Sequence, residues 1–262
     1  MLPDINKEFL AVEAKKILDF ANANLGQLKG KWGKKDTTQD YFLGIIRRQT
    51  IILYDLIALL QNSPHNNFTS LFILCRCLAD DFLYVFYLKM HNDEDENIVR
   101  ISANAYNKSF MALDVLTESN HKHFNGEFPF YLTRGKLNEL KNYFKSKNEN
   151  AKFFKDKEKF VFKSFLQLTQ LAGKTEDFEL SKLTLRAFYL WKQFSDFVHY
   201  SNSTFGLEMN NENEQTYLRM IEEVFLYTFN TVELAFRYFI KKHNLKLIVD
   251  PKLNERYIIK YP

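Results

Sequence analysis

Only eight glycines, five prolines and two cysteines occur in 262 residues. So few chain-breakers leave little material for the frequent turns of a sandwich or barrel; they suit long helices with short connections. Cys75 and Cys77 are spaced by two, so on a helix they point about 160° apart and cannot easily bridge or share a metal. They read as small apolar residues of a reducing compartment. No apolar run is long enough to cross a bilayer without a charge, and residues 51–60 are broken by Asp55. The opening MLPDINKEFLAVEAKK is charged throughout and lacks the apolar core of a signal peptide. A strong charge bias is missing too. A net charge of +4 is small for this length and does not by itself imply nucleic acid or an anionic membrane as partner. A soluble cytoplasmic protein is expected, with no membrane partner.

What the chain does have is aromatic mass: 16% of it, including 26 Phe. That is ample for a core. Residues 71–88, LFILCRCLADDFLYVFYL, are apolar on every side of a helix apart from Arg76, Asp80 and Asp81. A helix apolar all round is normally enclosed by other elements, so this one is expected at the centre.

Amphipathic spacing predicts a first helix over residues 4–28, with Asp4 as its cap. A second runs from Thr37 or Thr38 to about Gln61, with Arg48 and Asp55 two turns apart on one side. Acids in HNDEDEN precede a helix from about Asn97 to Glu118, where a helix N-terminus favours negative charge. SNHKHFNGEFPF is loop by composition, which puts His121 and His123 on the surface. Residues 136–163 hold nine Lys against four acids. A short helix covers 136–145, and KFFKDKEKFVFK is ambiguous between helix and extended chain. The region has no Arg to read phosphates bidentately, so a solvated charged face over buried aromatics is the better reading. FKSFLQLTQLAGKTE reads as a short helix stopped at Gly173. Residues 181–199 form an aromatic-rich helix, and SNSTFGLEMNNENE a polar loop. The last long helix, 214–243, carries a clean seam through Leu218, Ile221, Phe225, Thr228, Val232, Ala235 and Phe239. Residues 246–262 are a tail, with Pro251 preventing a helix through it. There is no internal repeat or clear linker. The expectation is one all-α domain of seven to nine helices, with a helical core over 1–245.

Two constellations carry the chemistry. Arg76 and Asp80 lie one turn apart, so a guanidinium taken into the interior has a carboxylate at i+4. Such a pair fixes register, or anchors an anion. Truncating Arg76 should then cost more than about 2 kcal/mol by stranding Asp80. Ser195 and His199 are likewise one turn apart, with Asp196 three before the His. A hydroxyl beside an imidazole invites a nucleophile-and-base reading. However, no Gly-x-Ser-x-Gly turn presents the hydroxyl, and a core His bonded to a neighbouring helix is the plainer outcome. A metal would need more ligands than this, so no metal and no cofactor are expected.

An Arg with an acid four residues later in an apolar helix, followed downstream by Ser-x-x-x-His-x-Ser, resembles a family of bacterial helical proteins known only as a domain of unknown function (DUF5677-like). The matching residues are Arg76, Asp80, Ser195, His199 and Ser201, with LTQLAGKTE before the second motif. The chain departs from it with Asp80 where Glu is expected and Tyr200 where Pro follows the His. The resemblance implies that the two motifs meet in space, and brings no activity with it. Arg237 and His243 are spaced as in the HEPN ribonucleases, a helical group that pairs such motifs across a homodimer to cut RNA without metal. With nine Arg and six His in the chain, that spacing has low specificity. Glu233, four residues before Arg237, offers it a plain structural partner.

The leading expectation is a non-catalytic binding or regulatory module in which Arg76, Asp80, Ser195 and His199 form a polar cluster for a small or anionic ligand. The competing one is a metal-independent ribonuclease of the defence type, using Arg237 and His243 or the His199 centre.

Overall fold

In a computed structural model, residues 5–31, 36–62, 68–91, 93–129, 131–166, 178–198 and 213–259 are described. Among them are eight α-helices and one 3-10 helix, with no strand. In chain order these are α1 (Lys7–Gly26), α2 (Thr37–Asn62), α3 (Phe68–Met90), α4 (Glu94–Phe124), α5 (Arg134–Ser146), the 3-10 helix (Asn148–Phe153), α6 (Phe178–Asp196), α7 (Glu214–His243) and α8 (Pro251–Tyr257). The chain is all-α, as its composition predicts. It divides into two compact units: Met1–Asn92 with Leu168–Pro262, and Asp93–Gln167. No glycine- or proline-rich linker marks the junctions, so the sequence shows no boundary there.

In the first unit, the helix enclosed on every side is α7, not α3. All ten residues from Tyr227 to Phe236 are buried, whereas α3 leaves Ile73 exposed and Arg76, Asp80 and Tyr84 half-buried. The one-sided seam of α7 concealed this because its other faces carry polar residues. Those residues satisfy themselves locally. Thr228 and Thr231 donate to the carbonyls of Val224 and Tyr227, at 2.9 and 2.7 Å. Helices α1, α2 and α3 all pack on α7, and α6 packs on α3. Rings make the joints: Phe20 on Phe229 at 4.7 Å, Phe42 on Tyr238 at 5.4 Å, Phe82 on Tyr227 at 4.9 Å, and Phe72 on Phe194 at 5.0 Å.

Helix ends show which residues do the capping. Asn6 caps α1, accepting from the Phe9 amide at 2.8 Å; Asp4 lies outside the described residues. Asp36, not a threonine, caps α2 through the amides of Thr38 and Gln39. Its second oxygen accepts from Tyr238 at 2.8 Å and from Lys242. Burial acts to raise the Asp36 carboxyl, but these donors outweigh it and hold it down at about 2.

The C-terminal stretch is not a tail without a helix. Pro251 opens α8, where a missing N–H costs nothing, and Asp250 caps it by accepting from the amides of Lys252 and Leu253. Side-chain amides hold the segment on the body. Asn24 donates to the Ile248 carbonyl and accepts from its N–H, at 2.8 and 3.0 Å. Asn230 does the same for the Tyr257 carbonyl and the Ile259 N–H, at 2.6 and 3.0 Å.

The second unit has its own core of Ala103, Phe110, Leu137, Phe153, Phe154 and Phe162. Helix α4 runs one and a half turns past the predicted end. His121 and His123 therefore lie on its last turn, where basic groups suit the carbonyl end, and not in a loop. The ambiguous lysine-rich stretch becomes the 3-10 helix and a loop closed by an antiparallel bridge between Phe154 and Phe162. Lys141, Lys145 and Lys152 place their ammoniums over the rings of Phe160, Phe154 and Phe153 at 5.8, 5.7 and 5.2 Å. The helix expected to stop at Gly173 has no helical residue up to Leu166; residues 167–177 lie outside the described ones.

Candidate functional site

The site begins on the face of α3 that meets α6. Leu71, Phe72, Cys75, Leu78, Ala79 and Phe82 are buried and fix how α3 sits. Arg76 is thereby turned to the last turns of α6. Its Nε donates to Ser195 Oγ at 2.8 Å, and its guanidinium carbon lies 5.3 Å from the Trp191 ring. Ser195 is 4% exposed and donates in turn to the Trp191 carbonyl at 2.7 Å. Trp191 is itself stacked on Phe188 at 5.5 Å. Arg76 is therefore aimed by a hydrogen bond along its edge and an aromatic ring under its face. Trp191 Nε1 is a buried donor without a partner among the described residues.

Of the four residues expected to cluster, the structure brings Arg76 and Ser195 together across 119 positions of chain. Asp80 sits one turn on from Arg76, half-buried. His199 lies outside the described residues, as do Tyr200, Ser201 and the LTQLAGKTE segment.

The carboxylate that α3 does bury is Asp81, and composition alone singles out neither it nor its partners. Asp81 is 2% exposed. One oxygen accepts from Arg48 Nη1 and the other from Gln49 Nε2, both at 2.8 Å. Burial pushes its carboxyl up to about 7, against the pull of Arg48 and Gln49, and the Asp80 charge next to it adds to the rise. Burial also raises the phenols of Tyr41 and Tyr84, with Asp81 and Asp80 adding to the rise at Tyr41 and Asp80 at Tyr84. At Arg48 burial works to lower the pKa, but Asp81 and the Cys77 thiol outweigh it and the net direction is up. Gln49 Oε1 has no partner among the described residues. One sequence signal did exist: Asp81 is three after Leu78 and four before Val85, in register with two core positions.

The residues of the alternative site are placed differently. Arg237 donates to Glu233 Oε1 at 2.7 Å, one turn back on α7. His243, in the last turn, stacks its ring nearly parallel to Phe239 at 6.3 Å. Six residues apart on one helix, Arg237 and His243 point about 120° apart. Among the described residues no three His, Cys, Asp or Glu side chains gather as a metal would need. No helix there is long and apolar enough to cross a membrane. No family model matches the chain, and neither the curated proteins nor the solved structures yield a match.

Proposed function

We propose that this protein is a non-catalytic binding or regulatory module whose recognition element is Arg76. One observation carries the reading. The guanidinium is pre-aimed by Ser195 and Trp191, and its terminal nitrogens meet no carboxylate among the described residues. A planar fork held in one orientation is suited to grip a carboxylate or phosphate with two parallel hydrogen bonds. Fixing it beforehand removes part of the ordering cost of binding. The ligand in this reading is a small anion, and the site holds and does not transform it. The similarity to the DUF5677-like bacterial family belongs to the same proposal. So does a cytoplasmic setting, which fits two cysteines that are both free.

Titration with inorganic phosphate and with short carboxylates, followed by calorimetry and by the Arg76 Nε–H resonance, tests it. Arg76→Lys keeps the charge but removes the fork. It should lose about tenfold or more in affinity for the best anion, with helix content unchanged. Equal binding by wild type and Arg76→Lys overturns the reading. Cleavage of RNA that vanishes in His243→Ala or His199→Ala would put the ribonuclease, and the homodimer it needs, in its place.

A further inference from the structure

A cavity of about 640 Å³ opens in the first unit, between α1 and the C-terminal stretch that ends in α8. That size is within the range of small-molecule sites. Its apolar wall is Phe20, Ala23, Ile248, Val249 and Leu253. Its charged groups are three acids and three bases, and their commitments are unequal.

Glu13, 2% exposed, gives one oxygen to Lys16 at 2.6 Å and the other to the Tyr257 hydroxyl at 2.9 Å, with Arg256 3.4 Å away. Arg256 also pairs with Glu222 at 2.8 Å. Asp19 is taken by Lys15 at 2.5 Å, and Asp250 by the amides it caps. Each acid thus has a donor on at least one oxygen, Asp250 keeping its charge while it caps α8, and both Lys16 and Arg256 face a carboxylate. Lys252 remains: its ammonium has no partner among the described residues, and it stands at the mouth of an apolar-walled cavity.

We propose that this cavity is a second binding site, for a small monoanionic amphiphile: one carboxylate head and an apolar body. The body lies against Phe20, Ala23, Ile248, Val249 and Leu253, and the head meets Lys252. The buried Glu13 cluster holds α8 in place as the floor, through Tyr257 and Arg256. A cationic head placed there would meet the Lys252 ammonium and be disfavoured. The site is separate from the Arg76 fork and does not depend on it.

The probes are decanoate, below its micellar concentration, and decyltrimethylammonium, which keeps the tail and reverses the head. Both are titrated into the full chain by calorimetry, with the amide signals of Ala23 and Ile248 as reporters. Decanoate should bind with Kd below about 1 mM and the ammonium probe about tenfold more weakly. Lys252→Glu should weaken decanoate about fivefold and narrow or reverse the head preference. Ala23→Trp fills the cavity from an exposed helix position, so the fold survives, and it should abolish both. Arg76→Lys should leave the decanoate-induced shifts of Ala23 and Ile248 unchanged, which separates this site from the anion site on α3. No Ile248 shift with decanoate up to about 1 mM, equal affinity for the two heads, or an Ile248 shift that survives Ala23→Trp would each overturn the proposal.

Discussion

Folding takes the Asp81 carboxyl out of water and raises it from an ordinary 3.8 to about 7. Between those two values the native state holds a proton that the unfolded chain has released, so stability falls as pH rises through that window. Below it both states are protonated; above it both are ionised. Asp81→Asn cannot ionise. Its urea midpoint, relative to wild type, should therefore move in its favour between about pH 4.5 and about pH 7.5. Parallel profiles would show that Arg48 and Gln49 compensate the buried charge fully. The register of Asp81 with Leu78 and Val85 is a weak signal, and it does not name a partner. Both acids interrupt the same apolar run, and Asp80 drew the pairing because it is one turn from Arg76. What decided the matter was Arg48, 33 positions away on α2, and no local spacing reports a partner on another helix. The Arg76–Ser195 contact, by contrast, could be read ahead. Each residue sits in an aromatic helix that has to bury one face, and polar groups carried inward seek each other.

Element bounds were most readable where apolar spacing is long and regular. The sequence predicts α7 from residue 214 to residue 243, and the structure has Glu214–His243. Ends were less readable, because capping depends on which side chain can reach an amide. Asp36 competes with Thr37 and Thr38 and prevails, since its other oxygen is anchored on Tyr238. Pro251 looked like a barrier because a proline inside a helix is one, whereas at the first position it starts a helix. Among the groups that hold the stretch through α8 is the fully buried Asn230, which spans Leu226, Tyr257 and Ile259. Asn230→Ala strands a carbonyl and an amide that can regain water only if the segment lifts away. A loss of about 2 kcal/mol is expected. Amide exchange in α8 should rise, and trypsin should cut faster at Lys252 and Arg256, while the middle of α7 stays protected. Uniform loss of protection along α7 would instead mean that Asn230 supports the core directly.

At the scale of the molecule, two cores divide the work. The second unit is built around Phe110, whose ring meets Phe160 at 5.1 Å, Phe144 at 5.3 Å and Phe162 at 5.9 Å. The first is built around α7. No linker announces the division, since the chain passes from α3 into α4 within a few residues of ordinary composition. The acids of α4 and the lysines in and after α5 read as separate charge runs. In the structure some of them meet: Lys163 reaches Glu96 at 3.2 Å, and Lys141 reaches Asp114 at 2.6 Å. Those half-buried surface pairs still add little stability, so the aromatic cluster has to carry the second unit. Phe110→Ala should cost that unit about 3–5 kcal/mol, as buried Phe truncations do. A core of this size has few other groups to share the loss. Hydrogen exchange should then quicken across α4 and α5, while the amides from Tyr227 to Phe236 in α7 keep their protection. If both regions lose protection together, the two units unfold as one cooperative body, and the boundary is one of packing density and not of folding.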